Sequence, residues 1–390
     1  MSLKTRLSVL LISTPVLAFV LVGGLLGNSS AATSGDDKFQ HLRLFHDVVD
    51  LVTNNYVTEV EPGKVMEGAI RGLAEGLDPD SAYLSAQMVR SVEAGEEPPA
   101  GDVGVDLTRQ YYLRVVASRD GSPAAKAGLQ TGDYVRAIDG KPTRDMSVFE
   151  GTRLLRGQPG SKVKLTVIRG NAAEPHDIEL VREKFAGPLV SSRMLEGSTI
   201  GYIRVASLRG GSVNELKRQA ADLASNGATA LIVDVRRTTE GALENGIEAA
   251  RLFVKSGTLA VKAGREKEPK VPVEAKPGDG AITTPLTVLV ATGTSGAAEL
   301  FASALDGNDR ADLVGERTLG RAGIQKLVKL PEGRGLWLTY ARYLRPNGDP
   351  LHGRGLQPDL EVDEPAATDF TTAAPTKDPV LDAAIARARG

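Results

Sequence analysis

The feature that most constrains the fold is the alternation of apolar runs with helical patterns in the second half of the chain. Apolar residues dominate short runs at 199–205, 230–235 and 286–291, and helical spacing follows the first two runs at 213–225 and 243–253. Runs this short and this apolar are typical of strands buried on both faces of a sheet. Because strands that alternate with helices form mostly parallel sheets, we predict an α/β domain here.

The composition excludes several kinds of site. The 390 residues, 41% hydrophobic and 25% charged, suffice for two or three domains with sizeable cores. A net charge of −2, with lysines and arginines scattered along the chain, gives no support to nucleic-acid binding. Cysteine is absent, and the four histidines lie far apart without metal-ligand spacing. We therefore predict neither a metal site nor a cofactor.

The N-terminus has the pattern of an export signal. Lys4 and Arg6 precede an uncharged apolar run at 7–27, and small or polar residues follow at 28–32. The run is also long enough to span a bilayer, so an uncleaved anchor is the alternative to a cleaved signal peptide. Either one places the rest of the chain outside the cytoplasm, in the bacterial periplasm or cell envelope. Membrane contact is predicted only through this segment.

Two helices and a linker are predicted next. Apolar residues recur with helical spacing at 39–56 and again at 62–76, where a Gly-Leu-Asp-Pro sequence ends the second helix. An acidic stretch with prolines at 93–100 is typical of a linker. We assign 33–100 to an N-terminal helical region and linker.

A β-rich domain is predicted at 101–184, where short alternating apolar runs are separated by turns. Four sequences occur there in order: SPAAKAGL at 122–129, GD at 132–133, IDG at 138–140 and LLRGQPG at 154–160. Together they resemble the signatures of a PDZ domain. Such domains bind extended peptides by adding a strand to a sheet edge and holding the terminal carboxylate on backbone N–H groups.

By this resemblance the carboxylate-binding loop of the PDZ domain is formed by Val103, Gly104, Val105 and Asp106. The partners that the resemblance implies are protein or peptide C-termini. The loop lacks the aromatic or leucine-rich form that is common in free-standing PDZ domains.

Two segments of the predicted α/β domain are the candidates for a catalytic site. The sequence GTSGAAE at 293–299 follows a predicted strand, and GRAGIQ lies at 320–325. They resemble the nucleophile turn and the general-base turn of the carboxyl-terminal processing peptidases, or tail-specific proteases, which are Ser-Lys enzymes. Aligned on Glu299 and Gln325, the resemblance places Gly296 at the nucleophile position and Arg321, 25 residues later, at the base position.

These two residues cannot perform the chemistry that the resemblance implies. Gly296 has no side chain, and Arg321 carries a guanidinium that stays protonated across the accessible pH range. We therefore predict a pseudoprotease that retains the framework of the family without its catalytic pair.

The oxyanion region of the family is also altered. By resemblance it comprises Gly241 and Ala297, but the chain has RRTTEG at 236–241 where the family has an arginine followed by N-x-P-G-G. Glu240 would oppose a developing negative charge there. The alternative is that Glu240 is a solvated loop residue.

Ser295 is the fallback nucleophile, because a shifted turn would present its hydroxyl. It lacks an obvious base, and the alternative for Ser295 is a helix N-cap or a hydroxyl in a turn. His352 is a candidate for a Ser-His pair, but by resemblance it belongs to a structural turn.

The predicted fold class is α/β and multi-domain, with an N-terminal helical region, a β-rich PDZ domain and an α/β tail-specific-protease-like domain. Three functions stay open: an inactive peptide-binding homologue, an active serine-type endopeptidase that uses Ser295 or an atypical base, and an extracytoplasmic scaffold or regulator. Partners for the last include an active paralogous protease or a second copy of the chain. The predicted boundaries are 1–32 for the signal peptide or anchor, 33–100, 101–184, 185–363, and 364–390 for a C-terminal tail.

Overall fold

The computed structural model describes residues 33–170, 174–184, 187–367, 370 and 377–389. These residues divide into two compact units, whose boundary in the sequence lies between Ile70 and Arg71. The predicted signal or anchor at 1–32 lies outside the described residues. No helix in the described part of the chain has both the length and the apolar character needed to cross a bilayer.

The helices and strands follow each other in mixed order. The helices are α1 (Thr33–Asn55), α2 (Pro62–Glu75), α3 (Ala86–Glu93), α4 (Pro123–Lys126), α5 (Val148–Leu155), α6 (Ser212–Ser225), α7 (Leu243–Ala250), α8 (Ala297–Asp306) and α9 (Pro379–Arg389). The strands are β1 (Ala82–Leu84), β2 (Val105–Gln110), β3 (Tyr112–Ser118), β4 (Tyr134–Ile138), β5 (Lys141–Pro142), β6 (Lys162–Ile168), β7 (His176–Val181), β8 (Val190–Met194), β9 (Ile200–Val205), β10 (Ala230–Asp234), β11 (Thr258–Ala263), β12 (Val271–Glu274), β13 (Leu286–Val290), β14 (Asp312–Gly315), β15 (Gly323–Lys329), β16 (Gly335–Leu344) and β17 (Leu360–Glu361).

The first unit consists of α1 and the start of α2, and both predicted helices are confirmed. Several large apolar side chains of this unit are exposed, among them Leu42, Leu44, Leu51 and Tyr56. Among residues 33–70, packing therefore leaves these apolar side chains uncovered.

The antiparallel sheet of the second unit has the strand order β2-β3-β4-β6-β7, with β5 paired to β4. The strands predicted from alternating apolar runs at 101–184 are confirmed. Their inward-facing side chains form a separate core that includes Leu113, Val135, Leu165 and Leu180. β2 lies at the edge of this sheet, and α5 packs against it.

The parallel sheet has the order β17-β14-β13-β10-β9-β8 and is antiparallel only between β8 and β9. Its central strands are apolar on both faces because both faces are covered. Leu231 and Val233 face a core shared with α6, α7 and α8, whereas Ile232 and Leu289 face α9 on the other side. The α/β prediction is confirmed.

A third sheet has the order β1-β16-β11-β12, with β15 also paired to β16. The Lys, Glu and Pro content of residues 265–279 predicts an exposed loop. This prediction is wrong in part, because β12 lies within these residues. Val271 to Glu274 pair with β11 through backbone hydrogen bonds, which a polar composition does not prevent at a sheet edge.

Candidate functional site

Gly296 lies in a sharp turn between β13 and α8. Its backbone has φ +64° and ψ −120°, a conformation that residues with a side chain rarely adopt. The order strand, strained turn and helix is the same as the one in which α/β-hydrolases present a nucleophilic serine. A Cβ at this position would meet its nearest neighbours, Leu243 and Thr239, at 3.8 Å. The turn therefore has room for a side chain where the sequence supplies none.

Glu299 holds this turn against the second one. The fully buried carboxylate accepts hydrogen bonds from the backbone N–H groups of Gly320 at 2.5 Å, Arg321 at 2.6 Å and Gly296 at 3.1 Å, and from the hydroxyl of Thr318. Burial raises the pKa of Glu299, and these four donors oppose the shift. The structure thus brings together the two turns that the sequence predicts as partners.

The side chain of Arg321 is held by two groups from outside the parallel sheet. Its Nε lies 3.0 Å from Oδ1 of Asp80, and its Nη2 donates to the carbonyl oxygen of Leu107 at 2.7 Å. Leu107 belongs to β2, the edge strand of the antiparallel sheet. The guanidinium therefore anchors the turn through Nε and Nη2, and it has no lone pair with which to accept a proton.

Gln325 and His352 stabilise the second turn. Gln325 donates from Nε2 to the hydroxyl of Thr339 on β16 at 3.1 Å. The backbone N–H of Ala322 donates to Nδ1 of His352 at 3.2 Å. His352 lies in a turn, as predicted, and its ring nitrogen supports the backbone beside Arg321.

Ser295 is buried, with 1% of its surface exposed. Its Oγ has no hydrogen-bond partner among the described residues, and its backbone N–H donates to the carbonyl of Thr238 at 3.1 Å. The prediction of Ser295 as the N-cap is wrong, because Gly296 occupies the N-cap position of α8. Ser295 is a residue of the turn, one position too early to cap the helix.

The predicted oxyanion residues flank the same turn. Gly241 has φ +129°, and a Cβ there would lie 2.5 Å from the carbonyl oxygen of Leu208, so only glycine fits. Ala297 begins α8 and is fully buried. Their role in holding an oxyanion stays a prediction.

Glu240 is not a solvated loop residue, and that prediction is wrong. Its carboxylate lies 2.6 Å from Nη1 of Arg119, with only 18% of the side chain exposed. Arg119 also pairs with Asp102, so it links the segment before β2 to the loop at 236–241. Much of the negative charge of Glu240 is therefore balanced by a partner from the antiparallel sheet.

The predicted carboxylate-binding loop lies against this loop. Val103, Gly104 and Val105 are buried, and the hydroxyl of Thr239 donates to the carboxylate of Asp106. The N–H of Gly104 donates to Asp102 at 3.0 Å. Peptide binding by these residues stays a prediction.

Sequence reasoning missed the contacts that support the site from distant parts of the chain. Asp80 and Leu107 hold Arg321. Arg119 pairs with Glu240, and Thr239 donates to Asp106. Arg321 and Leu107 are 214 positions apart, and a backbone carbonyl carries no residue-type signal. No pattern in a single sequence could have found these contacts.

Comparisons with known proteins cover nearly all of the described chain. A family model described as peptidase family S41 matches residues 199–362, a PDZ domain model matches 114–169, and a model of the N-terminal domain of the activating protease CtpB matches 26–88.

Two relatives and one solved structure extend this result. A carboxy-terminal-processing protease of Bartonella bacilliformis is 30% identical over 346 residues, which are 87% of this chain and 79% of that protein. The carboxy-terminal processing protease CtpA of Bacillus subtilis is 29% identical over 94% of this chain and 78% of its own length. The structure of a photosystem II D1 C-terminal processing protease superposes with a TM-score of 0.67 at 27% identity, covering 84% of this chain and 94% of the other.

Proposed function

This chain belongs to peptidase family S41, the family of the carboxy-terminal processing proteases, and on that premise we propose that it is a catalytically inactive member that binds peptides. The observation that carries the proposal is the turn at Gly296. Its backbone has the strained geometry of a nucleophile turn and space for a side chain, yet no atom is present to attack a peptide bond.

Arg321 supports the same proposal from the position of the base. A general base must accept a proton from the nucleophile, and a guanidinium paired with Asp80 cannot do so. In this proposal Gly296 and Arg321 replace the serine and lysine of the active family members, and Glu299 preserves the frame around them.

The retained function is peptide binding by the PDZ domain. β2 is an edge strand, with α5 beside it and the loop Val103–Asp106 at its start. An extended peptide adding to this edge would gain main-chain hydrogen bonds, and its terminal carboxylate would lie near the loop. Protein or peptide C-termini are therefore the proposed ligands.

The first test is cleavage. Purified protein lacking residues 1–32 is incubated with an unfolded substrate that has an apolar C-terminus, and products are followed by mass spectrometry. We expect no cleavage. Cleavage that Ser295→Ala abolishes would establish the active serine endopeptidase instead.

The second test rebuilds the catalytic pair. The double variant Gly296→Ser with Arg321→Lys restores a hydroxyl and a titratable amine, and we expect measurable cleavage only in this variant. Gly296→Ala with Arg321→Lys is the matched control, because it has the same backbone strain without the hydroxyl. Activity in the control would contradict the assignment of position 296.

The third test separates binding from cleavage. A labelled peptide with an apolar C-terminus is titrated by fluorescence anisotropy in its free-carboxylate and amidated forms. We expect the free carboxylate to bind more tightly. Equal affinity would contradict capture of C-termini by the loop at 103–106.

We place these activities outside the cytoplasm, because residues 1–32 have the sequence pattern of an export signal or membrane anchor. Mass spectrometry of the mature N-terminus distinguishes a cleaved signal peptide from an anchor. Recovery of the protein in the cytoplasmic fraction with its N-terminus intact would contradict this location.

A further inference from the structure

The hairpin of β2 and β3 ends in an exposed cluster of aromatic rings and arginines that the proposed function does not use. We define the hairpin patch as Tyr111, Tyr112, Arg114, Tyr134, Arg136 and Arg144. Tyr111, Arg136 and Arg144 are exposed, and the other three are half-buried.

Each arginine of the hairpin patch lies over a tyrosine ring. The guanidinium of Arg144 lies 4.8 Å from the ring centre of Tyr111. Arg136 lies 5.5 Å from Tyr112, and Arg114 lies 5.5 Å from its cross-strand neighbour Tyr134. Stacking on a ring face orients a planar guanidinium group and leaves its N–H edge pointing away from the ring, where it can donate hydrogen bonds.

The three arginines have no carboxylate partner within 4.0 Å in the described part of the chain. Arg114 instead donates to the side-chain oxygen of Gln110 at 3.2 Å and to the carbonyl of Gly132 at 3.3 Å. By contrast, Arg119, which directly follows β3, lies within 4.0 Å of three carboxylates. The hairpin patch therefore has an uncompensated positive charge.

Tyr111 has φ +69°, which is an outlier for a bulky aromatic residue. A glycine would occupy this tip without strain, whereas the tyrosine costs stability and gives a ring on which Arg144 lies. Strain of this kind concentrates at functional sites.

Acidic groups beside the patch limit its extent. A hollow of about 430 Å³ next to the tip is lined by Glu75, Asp78 and Asp145 as well as by Tyr111 and Arg144. Glu75 is paired with Arg109, and Asp78 accepts from the backbone of the turn that follows it, but Asp145 is exposed. An anion would therefore bind at the arginines of the hairpin patch rather than in the hollow.

We propose that the hairpin patch is a docking surface for an acidic, extended segment of a partner protein. Charge complementarity selects the occupant, since three preordered guanidinium groups match carboxylates spaced along a peptide. This contact is separate from the edge of β2 and needs no free C-terminus, so it goes beyond the proposed function.

The test uses the full chain, purified in mild detergent, and a fluorescein-labelled peptide of alternating Glu and Ser with an amidated C-terminus. The amide removes the carboxylate that the PDZ loop would bind, so failure here is distinct from failure of the proposed function. We expect binding that weakens with salt and that is absent for the same peptide with Gln in place of Glu.

Arg136→Gln with Arg144→Gln should weaken binding at least about fivefold, because two exposed charge contacts are lost. Arg193→Gln is the matched control, since Arg193 is also exposed and lies over a tyrosine, Tyr202, at 5.2 Å. Unchanged affinity in the double variant, equal loss in the control, or no binding by the unmodified protein would each overturn the proposal.

Tyr111→Gly separates function from folding. It relieves the positive φ and removes the ring, so we expect weaker peptide binding and no decrease in the thermal unfolding midpoint. A lower midpoint with unchanged binding would overturn the proposal in favour of a structural role.

Vesicles containing phosphatidylserine test a membrane surface as the alternative partner. If the protein binds these vesicles through Arg136 and Arg144 but does not bind the glutamate peptide, the proposal is overturned in favour of a membrane surface.

Discussion

At position 296 the backbone disfavours a side chain while the surrounding space accepts one. For Gly296→Ala we expect a loss of about 1–2 kcal/mol in the free energy of unfolding, because φ is +64°. The nearest neighbours of a Cβ lie at 3.8 Å, which is an ordinary contact distance and adds no clash. Gly246→Ala is the contrasting control, since its Cβ would lie 1.9 Å from the carbonyl oxygen of Ala297. Urea unfolding measures both. Equal losses would contradict the open space at Gly296.

Glu299 is the residue on which the frame of the site depends. Glu299→Gln replaces one carboxylate oxygen with an NH₂ group that faces donors, so we expect a loss of about 1–3 kcal/mol in the free energy of unfolding. The exposed Glu196 provides the matched control, and Glu196→Gln should change that free energy by less than about 0.5 kcal/mol. Denaturant unfolding of both variants is the measurement, and similar values would contradict a structural role for Glu299.

At the scale of elements, the sequence predicted those that depend on local pattern. The buried strands at 230–235 and 286–291 and the helices at 62–76 and 213–225 follow from apolar spacing, and the structure confirms them with small shifts at their ends. β12 was missed because its partner strand, rather than its own composition, determines it. The sequence also predicted the two turns as partners, and the hydrogen bonds of Glu299 join them in the structure.

The contacts between elements were not accessible in the same way. Arg119 joins the segment before β2 to the loop at 236–241, and Arg321 joins the second turn to β2. Such pairs depend on how whole sheets pack, and a surface arginine and a bridging arginine have the same signature in a single sequence. The sequence therefore located the site but left its supports undetermined.

Asp102, which binds Arg119, makes the link before β2 sensitive to acid. Burial alone would raise the pKa of Asp102, but Arg119 and the N–H of Gly104 hold that pKa below its ordinary value. A carboxyl with a lower pKa in the folded state stabilises the protein above its ordinary pKa, and this contribution is lost as the pH falls through the lowered value.

Asp102→Asn should therefore be less stable than the unmodified protein at neutral pH, and the difference should shrink as the pH falls below about 4. Unfolding free energies measured from neutral pH to about pH 3 test this. Asp222→Asn changes an exposed aspartate and serves as the control, with a difference that stays small throughout. A difference for Asp102→Asn that grows towards low pH would contradict the assigned direction.

At the scale of the whole molecule, the first unit has more apolar surface than it covers. Leu42, Leu44 and Leu51 of α1 are each more than 60% exposed, as is Tyr56 just beyond its end. Monomeric proteins rarely expose contiguous apolar patches of large area. A helix with this surface gains stability by packing against another chain, and a second copy is the partner always present at high protein concentration.

We therefore expect the protein lacking residues 1–32 to self-associate, with a mass by light scattering that exceeds one chain and rises with concentration. Leu42→Glu with Leu51→Glu should return it to the mass of one chain, because burying these carboxylates in an apolar contact is unfavourable. Gln40→Glu with Asn54→Glu adds the same charge at exposed polar positions of α1, and it should leave the association intact. If both double variants dissociate, charge repulsion rather than apolar contact controls assembly. If neither dissociates, residues other than Leu42 and Leu51 hold the copies together and the role given to α1 is wrong.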